Sequence, residues 1–202
     1  MKTYPTISSK PIFNQNVFAF DKLDGSNIRA EWSRKRGFYK YGSRRRLVGA
    51  DERPLGLSIN LINDLYGDEL SKRLLNERVD SAVCYFEFSG PNSFAGVHDE
   101  NDNFDVVLFD VSLYKKGFMP PKDFIKFTNG LSIPKLIHRG NINDEFISNI
   151  RAGQIDGVTF EGVVCKYFHK NQIHMFKIKS QAWFDKLRER CDGNDELYEQ
   201  LK

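Results

Sequence analysis

Strand-length apolar runs gather toward the two ends of this chain, with helical spacing inserted between them instead of alternating with them one to one. That order favours an α+β fold with mainly antiparallel sheets over a doubly wound parallel one. The runs cover residues 17–22, 28–32, 38–41, 82–88, 105–113, 158–166 and 173–179. Leu57, Leu61, Ile62 and Leu65 fall on one helical face, and Leu70, Leu74 and Leu75 continue it. Residues 124–127, 146–150 and 183–187 predict three further helices.

A chain of 202 residues can bury one substantial core, so a single domain over residues 1–202 is the expectation. Its 40% hydrophobic content, rich in Phe and Tyr, describes an ordered protein and not a disordered one. The apolar runs are too short to span a bilayer, and the N-terminus lacks the basic-then-apolar pattern of a secretory signal. A cytoplasmic protein without a membrane partner is therefore expected. Cys84, Cys165 and Cys191 are odd in number and lack Cys-x-x-Cys spacing, which argues against both a disulfide framework and a zinc knuckle.

The net charge of +3 hides a local concentration. Arg34, Lys35, Arg36, Lys40, Arg44, Arg45 and Arg46 follow one another without an acid, interleaved with Phe38, Tyr39 and Tyr41. Such a stretch reads as a polyanion footprint, with a solvated charged hairpin as the alternative. The acidic stretch 99–103 reads as a polar loop, because it lacks the spacing of a calcium-binding loop.

Just before the basic stretch stands Lys22-Leu23-Asp24-Gly25-Ser26-Asn27. A lysine acts as a nucleophile only when neutral, and reaching that state near pH 7.5 costs roughly 4 kcal/mol for an unperturbed side chain. Neighbouring cations or a metal that lower its pKa therefore matter. Gly25 lets the backbone turn sharply near a phosphate, and Asp24 can hold a hydrated magnesium ion. Taken alone, the same hexapeptide is a hairpin turn with Asp-Gly at its tip.

Three further blocks follow. Glu87 lies in the aromatic run Phe86-Glu87-Phe88-Ser89-Gly90, and Glu161 opens Glu161-Gly162-Val163-Val164-Cys165-Lys166. Glu161 interrupts the run 158–164, where a charge on a core face is costly without a metal or donor. Both glutamates, read singly, also suit the solvated face of half-exposed strands. Lys177-Ile178-Lys179-Ser180 completes the set. Residues two apart on a strand share a face, so both lysines can meet one anion while Ile178 packs inward.

Together these blocks resemble motifs I, III, IIIa, IV and V of the covalent nucleotidyltransferases, the family of ATP-dependent DNA ligases, RNA ligases and GTP-using capping enzymes. The resemblance runs from about Val17 to Trp183. It implies an ATP-grasp-like nucleotidyltransferase domain in which Lys22 takes AMP from ATP as a phosphoramidate, with Mg2+, or Mn2+ in its place. It implies further that Glu87 contacts the ribose, that Phe109 in Leu108-Phe109-Asp110-Val111 stacks on the base, and that Glu161 is the metal-side acid, with Asp24 as a second metal carboxylate acting through water. Lys177 and Lys179 would grip the α-phosphate, and Arg44 is chosen as the motif Ia arginine, with Arg45 or Arg46 as alternatives. Asn27 resembles a position that seats a polynucleotide end, and Arg34, Lys35, Arg36, Arg45 and Arg46 would hold nucleic-acid phosphates. Phe109 also reads as ordinary core, and His98, after motif III, as a surface or structural histidine.

The form Lys-Ile-Lys-Ser-x-x-Trp-Phe and the Gly25-Ser26-Asn27 continuation look more like RNA ligases than the other branches. Fewer than thirty residues follow motif V, too few for an OB-fold or a helical C-terminal domain, so a catalytic core alone is expected. A partner protein or the basic stretch would then supply end recognition. The reading is an ATP-dependent RNA ligase of nucleic-acid ends, suited to RNA repair. A minimal DNA ligase, an inactive nucleic-acid-binding module and a capping enzyme are its rivals.

Overall fold

The computed structural model describes residues 2–91 and 101–202. These residues divide into two compact units, one built from residues 2–6, 25–91 and 101–133, the other from residues 7–24 and 134–202. Each holds one antiparallel sheet, which is the α+β class expected from the order of the apolar runs.

The five-stranded unit contains strands β2 (Ser26–Ser33), β3 (Gly37–Ser43), β4 (Ser81–Ser89), β5 (Asp105–Leu113) and β6 (Gly117–Phe118), in the order β3-β2-β4-β5-β6. Alternation places Ile28, Ala30, Trp32, Ala82, Cys84 and Phe86 on one face, all buried. Helices α1 (Leu57–Ile62) and α2 (Asp68–Asn76) cover that face, with Trp32 Nε1 donating to Ser71 Oγ at 3.0 Å. A third helix, α3 (Pro121–Phe127), starts with proline at its first position, where a missing N–H costs nothing.

Between α1 and α2 the chain makes a π-helical turn, Asn63–Gly67, and this changes which residues face inward. The face drawn from sequence included Leu65, yet Leu65 is 54% exposed while Tyr66 is 2% exposed. The wider turn places the buried residues Ile62, Tyr66, Leu70 and Leu74 in one file at steps of four, and Leu75 falls outside it. Tyr66 packs its ring edge-on against Phe86 at 5.1 Å, and its hydroxyl bonds the carbonyls of Val106 and Ser132 at 3.0 Å each.

The four-stranded unit contains β1 (Val17–Asp21), β7 (Leu136–Gly140), β8 (Gly162–His169) and β9 (Gln172–Lys179), in the order β7-β1-β8-β9. Helix α4 (Asp144–Arg151), capped by Asn143, sends Ile147 and Ile150 onto Val17, Ala19, Val163, Cys165, Phe176 and Ile178. Helix α5 (Gln181–Cys191) packs Trp183, Leu187 and Cys191 together, and α6 (Asp195–Leu201) follows. The three cysteines are free and buried, and burial pushes the Cys165 thiol up to about 12.

Several elements differ from the sequence reading. Residues 158–161 are not strand, and β8 begins only at Gly162. The strands β6 and β7 and the helix α6 carry little apolar periodicity; β7 forms because β1 offers it a partner edge, and α6 because Asn194 caps it. The Asp-Gly hairpin is excluded, since β1 and β2 belong to different sheets.

The π-turn makes a clear test. Tyr66→Phe removes both carbonyl partners of the hydroxyl and is expected to lower stability by about 1–2 kcal/mol in urea unfolding, whereas Leu65→Gln should change it by less than about 0.5 kcal/mol.

Candidate functional site

In the four-stranded unit, β1 ends at Asp21, and the next amide, Lys22 N, donates to Gly162 O at 2.9 Å. Gly162 pairs on its other side with Lys179 of β9. Lys22 and Lys179 thus flank the start of β8, immediately after Glu161. The carboxylate of Glu161 meets both: Oε2 is 2.6 Å from Lys22 Nζ, and Oε1 is 3.2 Å from Lys179 Nζ. Glu161 and Lys179 are buried, while the Lys22 side chain keeps 22% of its surface exposed. The Lys179 ammonium also lies 3.1 Å from the centroid of the Trp183 ring.

Short bonds hold Glu161 in place. Asp21, 4% exposed, accepts from Thr159 N and from Thr159 Oγ1, both at 3.0 Å, which ties the approach to β8 onto the end of β1. Ser180 N donates to Glu161 O at 3.1 Å, and Ser180 Oγ donates to Phe160 O at 2.6 Å while accepting from Trp183 N at 3.1 Å. Gly162 has φ +123°, and a Cβ there would lie 2.0 Å from Ile178 O, so only glycine fits after Glu161. Asp21, Thr159 and Ser180 were not among the expected site residues; of these, only Ser180, three residues before a helical tryptophan, leaves a sequence signal, that of an N-cap.

Strand alternation places Phe18, Phe20, Val164, Lys166, Met175, Lys177 and Lys179 on one face of this sheet, with Phe176 and Ile178 in the core behind it. Lys166, 5% exposed, lies with its ammonium 5.3 Å from the Phe20 ring. These strand positions carry the cations Lys166, Lys177 and Lys179 and no acid, and Glu161 meets Lys179 at their edge. Burial lowers the pKa of Lys179 to about 8; Glu161 pulls it upward, and Lys177 and Lys22 push it further down. Burial likewise raises the Asp21 carboxyl, against the opposing effect of the Thr159 bonds. Such a face suits a compact polyanion.

The remaining candidates lie in the five-stranded unit. Glu87 of β4 stands directly across from Asn27 of β2, both half-buried. Among the described residues, the buried Asn27 Oδ1 atom meets no hydrogen-bond donor. Gly25 is needed for close approach, because a Cβ would sit 2.5 Å from Phe88 O. Phe109 is the extra residue of a β-bulge, since Tyr85 pairs with Asp110 and Phe86 with Leu108. The bulge turns Phe109 away from the buried file of Val106, Leu108, Val111 and Leu113. Its ring instead meets Tyr4 edge-on at 5.0 Å, and Tyr4 Oη donates to buried Asp110 Oδ2 at 2.8 Å. Burial, and then Asp110, raise the Tyr4 hydroxyl well above its ordinary value.

The basic stretch is not one patch. Arg34, Lys35 and Arg36 sit at the β2–β3 turn, while Arg44, Arg45 and Arg46 follow the far end of β3, a strand of seven residues or about 20 Å. Several of these cations are also engaged: Arg36 lies 3.7 Å over Tyr39, Arg44 Nη2 donates to Thr6 Oγ1 at 3.1 Å, and Arg46 pairs with Glu52. Among the described residues no three His, Cys, Asp or Glu side chains gather as a metal cage. Asp24 is half-buried two residues beyond Lys22, and His98 lies outside the described residues. No described helix is long and apolar enough to cross a membrane.

Lys179 gives a pH test with a fixed sign. Its folded pKa of about 8 lies below the ordinary lysine value of 10.5, so between those two pH values the unfolded chain binds more protons. Stability of the wild type relative to Lys179→Met should therefore rise as pH climbs from about 8 to about 10.5, by at most about 1.4 kcal/mol per pH unit. Urea unfolding of both proteins across that window checks it.

No family model and no curated protein matches the sequence. In structure, the chain is similar to the RNA ligase of Naegleria gruberi. Against that ligase with PPi, the TM-score is 0.71 at 14% identity, covering 94% of this chain and 59% of the other. A mutant with ATP and Mn gives 0.70 at 15% identity over the same shares, and a mutant with AMP and Mn gives 0.67 at 14% over 92% and 58%. The chain thus spans less than two thirds of the length of the ligase. Two antiparallel sheets with their flanking helices give this chain the nucleotidyltransferase fold of RNA ligases.

Proposed function

We propose that this chain is an ATP-dependent polynucleotide ligase acting through a lysyl-AMP intermediate, with RNA favoured as substrate and residues 1–202 working as one adenylation domain. The observation that carries the reading is the Lys22–Glu161–Lys179 assembly, which places a half-open amine on a buried carboxylate beside a buried cation.

Lys22 Nζ attacks the α-phosphorus of ATP, forming an N–P bond and breaking the bond to pyrophosphate. Glu161 Oε2, 2.6 Å away, is placed to take the amine's proton or pass it to water. Lys179 and Lys177, on one sheet face, meet the charge that grows on the phosphoryl oxygens. Asp24 and Glu161 would hold a divalent ion through water, since both Glu161 oxygens already receive ammonium groups. When bound, Mg2+ or Mn2+ would neutralise phosphate charge. The resemblance alone assigns Phe109 to the base, Glu87 to the ribose and Arg44 to motif Ia. AMP then passes to a 5′-phosphate end, and a 3′-hydroxyl displaces it to seal the strand.

Asn27, whose buried Oδ1 meets no donor among the described residues, is assigned to the polynucleotide end by the resemblance. Arg34, Lys35, Arg36, Arg45 and Arg46 are assigned to backbone phosphates, as two groups and not one track. The RNA-like form of the Lys-Ile-Lys-Ser block supports RNA over DNA, and the fold shared with an RNA ligase agrees with it. A partner protein for end recognition remains part of the proposal.

Incubation with α-labelled ATP or GTP and a divalent metal, followed by denaturing electrophoresis, tests the reading. Label retained from ATP is expected, lost in Lys22→Ala and reduced at least about a hundredfold in Glu161→Gln. Sealing of nicked RNA, single-stranded RNA and nicked DNA then ranks the substrates. A protein that takes no label with either nucleotide would leave an inactive nucleic-acid-binding module as the better account.

A further inference from the structure

We infer that Trp183 is the positioning residue of this site: its indole face is a second seat for the Lys179 ammonium, keeping that group aimed and available when Glu161 turns to another partner. The inference rests on the adenylylation reading of the same assembly.

Glu161 has two oxygens and divides them between two ammonium groups, Lys22 at 2.6 Å and Lys179 at 3.2 Å. Any step in which Glu161 follows the proton of Lys22 loosens its hold on Lys179. A buried ammonium cannot then fall back on bulk water. The Trp183 ring centroid, 3.1 Å from Lys179 Nζ, is the partner that does not depend on Glu161.

An aromatic face differs from a carboxylate in a way that suits this task. A carboxylate neutralises the cation it holds and competes with a phosphate for it. The ring quadrupole orients the cation while leaving its net charge intact, so Lys179 can still meet phosphoryl oxygens.

The seat is also rigid. Trp183 is 3% exposed and packs with Leu187, Cys191, Phe160 and Phe184. Its amide donates to Ser180 Oγ, the N-cap of α5, and Ser180 in turn donates to Phe160 O and to Glu161 O. One capped helical turn therefore fixes the ring over Lys179 and the carboxylate beside it. The groups facing Lys179 are Glu161, Lys22, Lys177 and Trp183, and a substitution at the ring leaves the other three side chains in place.

The test compares wild type with Trp183→Phe and Trp183→Leu. Thermal unfolding confirms folding, the rate and KM of self-labelling with ATP are measured at one pH and one metal concentration, and the lysine Cε–Hε NMR signals, assigned with Lys179→Arg, report the ring current of the indole on Lys179. The Lys179 signal, displaced by the ring in the wild type, is expected to return to the ordinary lysine position in Trp183→Leu. The labelling rate at saturating ATP should drop about tenfold in the Leu protein while KM changes less than about twofold, with Phe partly rescuing the rate. An unmoved Lys179 signal or an unchanged rate in folded Trp183→Leu overturns the inference. Should that variant not fold, a rate in Trp183→Phe equal to that of the wild type does so. A wild type that takes no label sinks the adenylylation reading instead, and the ring-current shift still decides whether the indole is a seat for the cation.

Discussion

A single buried carboxylate, shared between two ammonium groups, organises the four-stranded unit. Glu161 sits where an isolated charge would be intolerable, and its cost is offset only because both oxygens find a cation at hydrogen-bond distance. Such an arrangement does not add much stability over an apolar packing of similar volume. It does fix direction. Lys22 leaves β1 in register with Gly162, Lys179 closes β9 across the same glycine, and the carboxylate preceding that glycine meets both ammonium groups.

The chain pattern serves that arrangement. The glycine at 162 lets β8 start hard against Ile178, so Glu161 turns off the strand axis toward the two lysines instead of continuing the ladder. Asp21 and Ser180 hold the preceding loop from both sides, one at the end of β1 and the other at the cap of α5. A similar logic governs the five-stranded unit. There a bulge at Phe109 removes one aromatic from the core file, and Tyr4 and Asp110 give it a fixed setting. In each sheet, the local departure from regular pairing carries a residue that the sequence singled out.

Much of the fold was legible because strand alternation is written in local side-chain type. The runs at 82–88 and 105–113 became β4 and β5 almost residue for residue. The Lys177-Ile178-Lys179 alternation likewise told which side chain packs inward. What stayed hidden depends on partners distant in sequence. β7 has few apolar residues and exists because β1 pairs with it, and the π-turn that buries Tyr66 in place of Leu65 cannot be told from a regular helix by periodicity. Glu161 illustrates the same limit: its run looked like strand with a solvated acid as one reading, and only the register of β8 and β9 shows a carboxylate clamped between lysines. Asp21 carried no signal, since a carboxylate ending a strand ordinarily faces water. The seven cations divide between the two ends of β3, with Lys40 inside it, a spacing that only the strand makes visible.

Charge balance on the sheet face beyond Glu161 leads one step further. Lys166, Lys177 and Lys179 project from that face beside Lys22, and two of them, Lys166 and Lys179, are buried. Like charges in a poorly solvated setting repel: burial brings the pKa of Lys179 down to about 8, and Lys177 and Lys22 add to that shift against the pull of Glu161. A protein assembled for stability alone would disperse such groups. An anion arriving at this face relieves repulsion already present in the free chain, so part of its binding energy is prepaid by the fold.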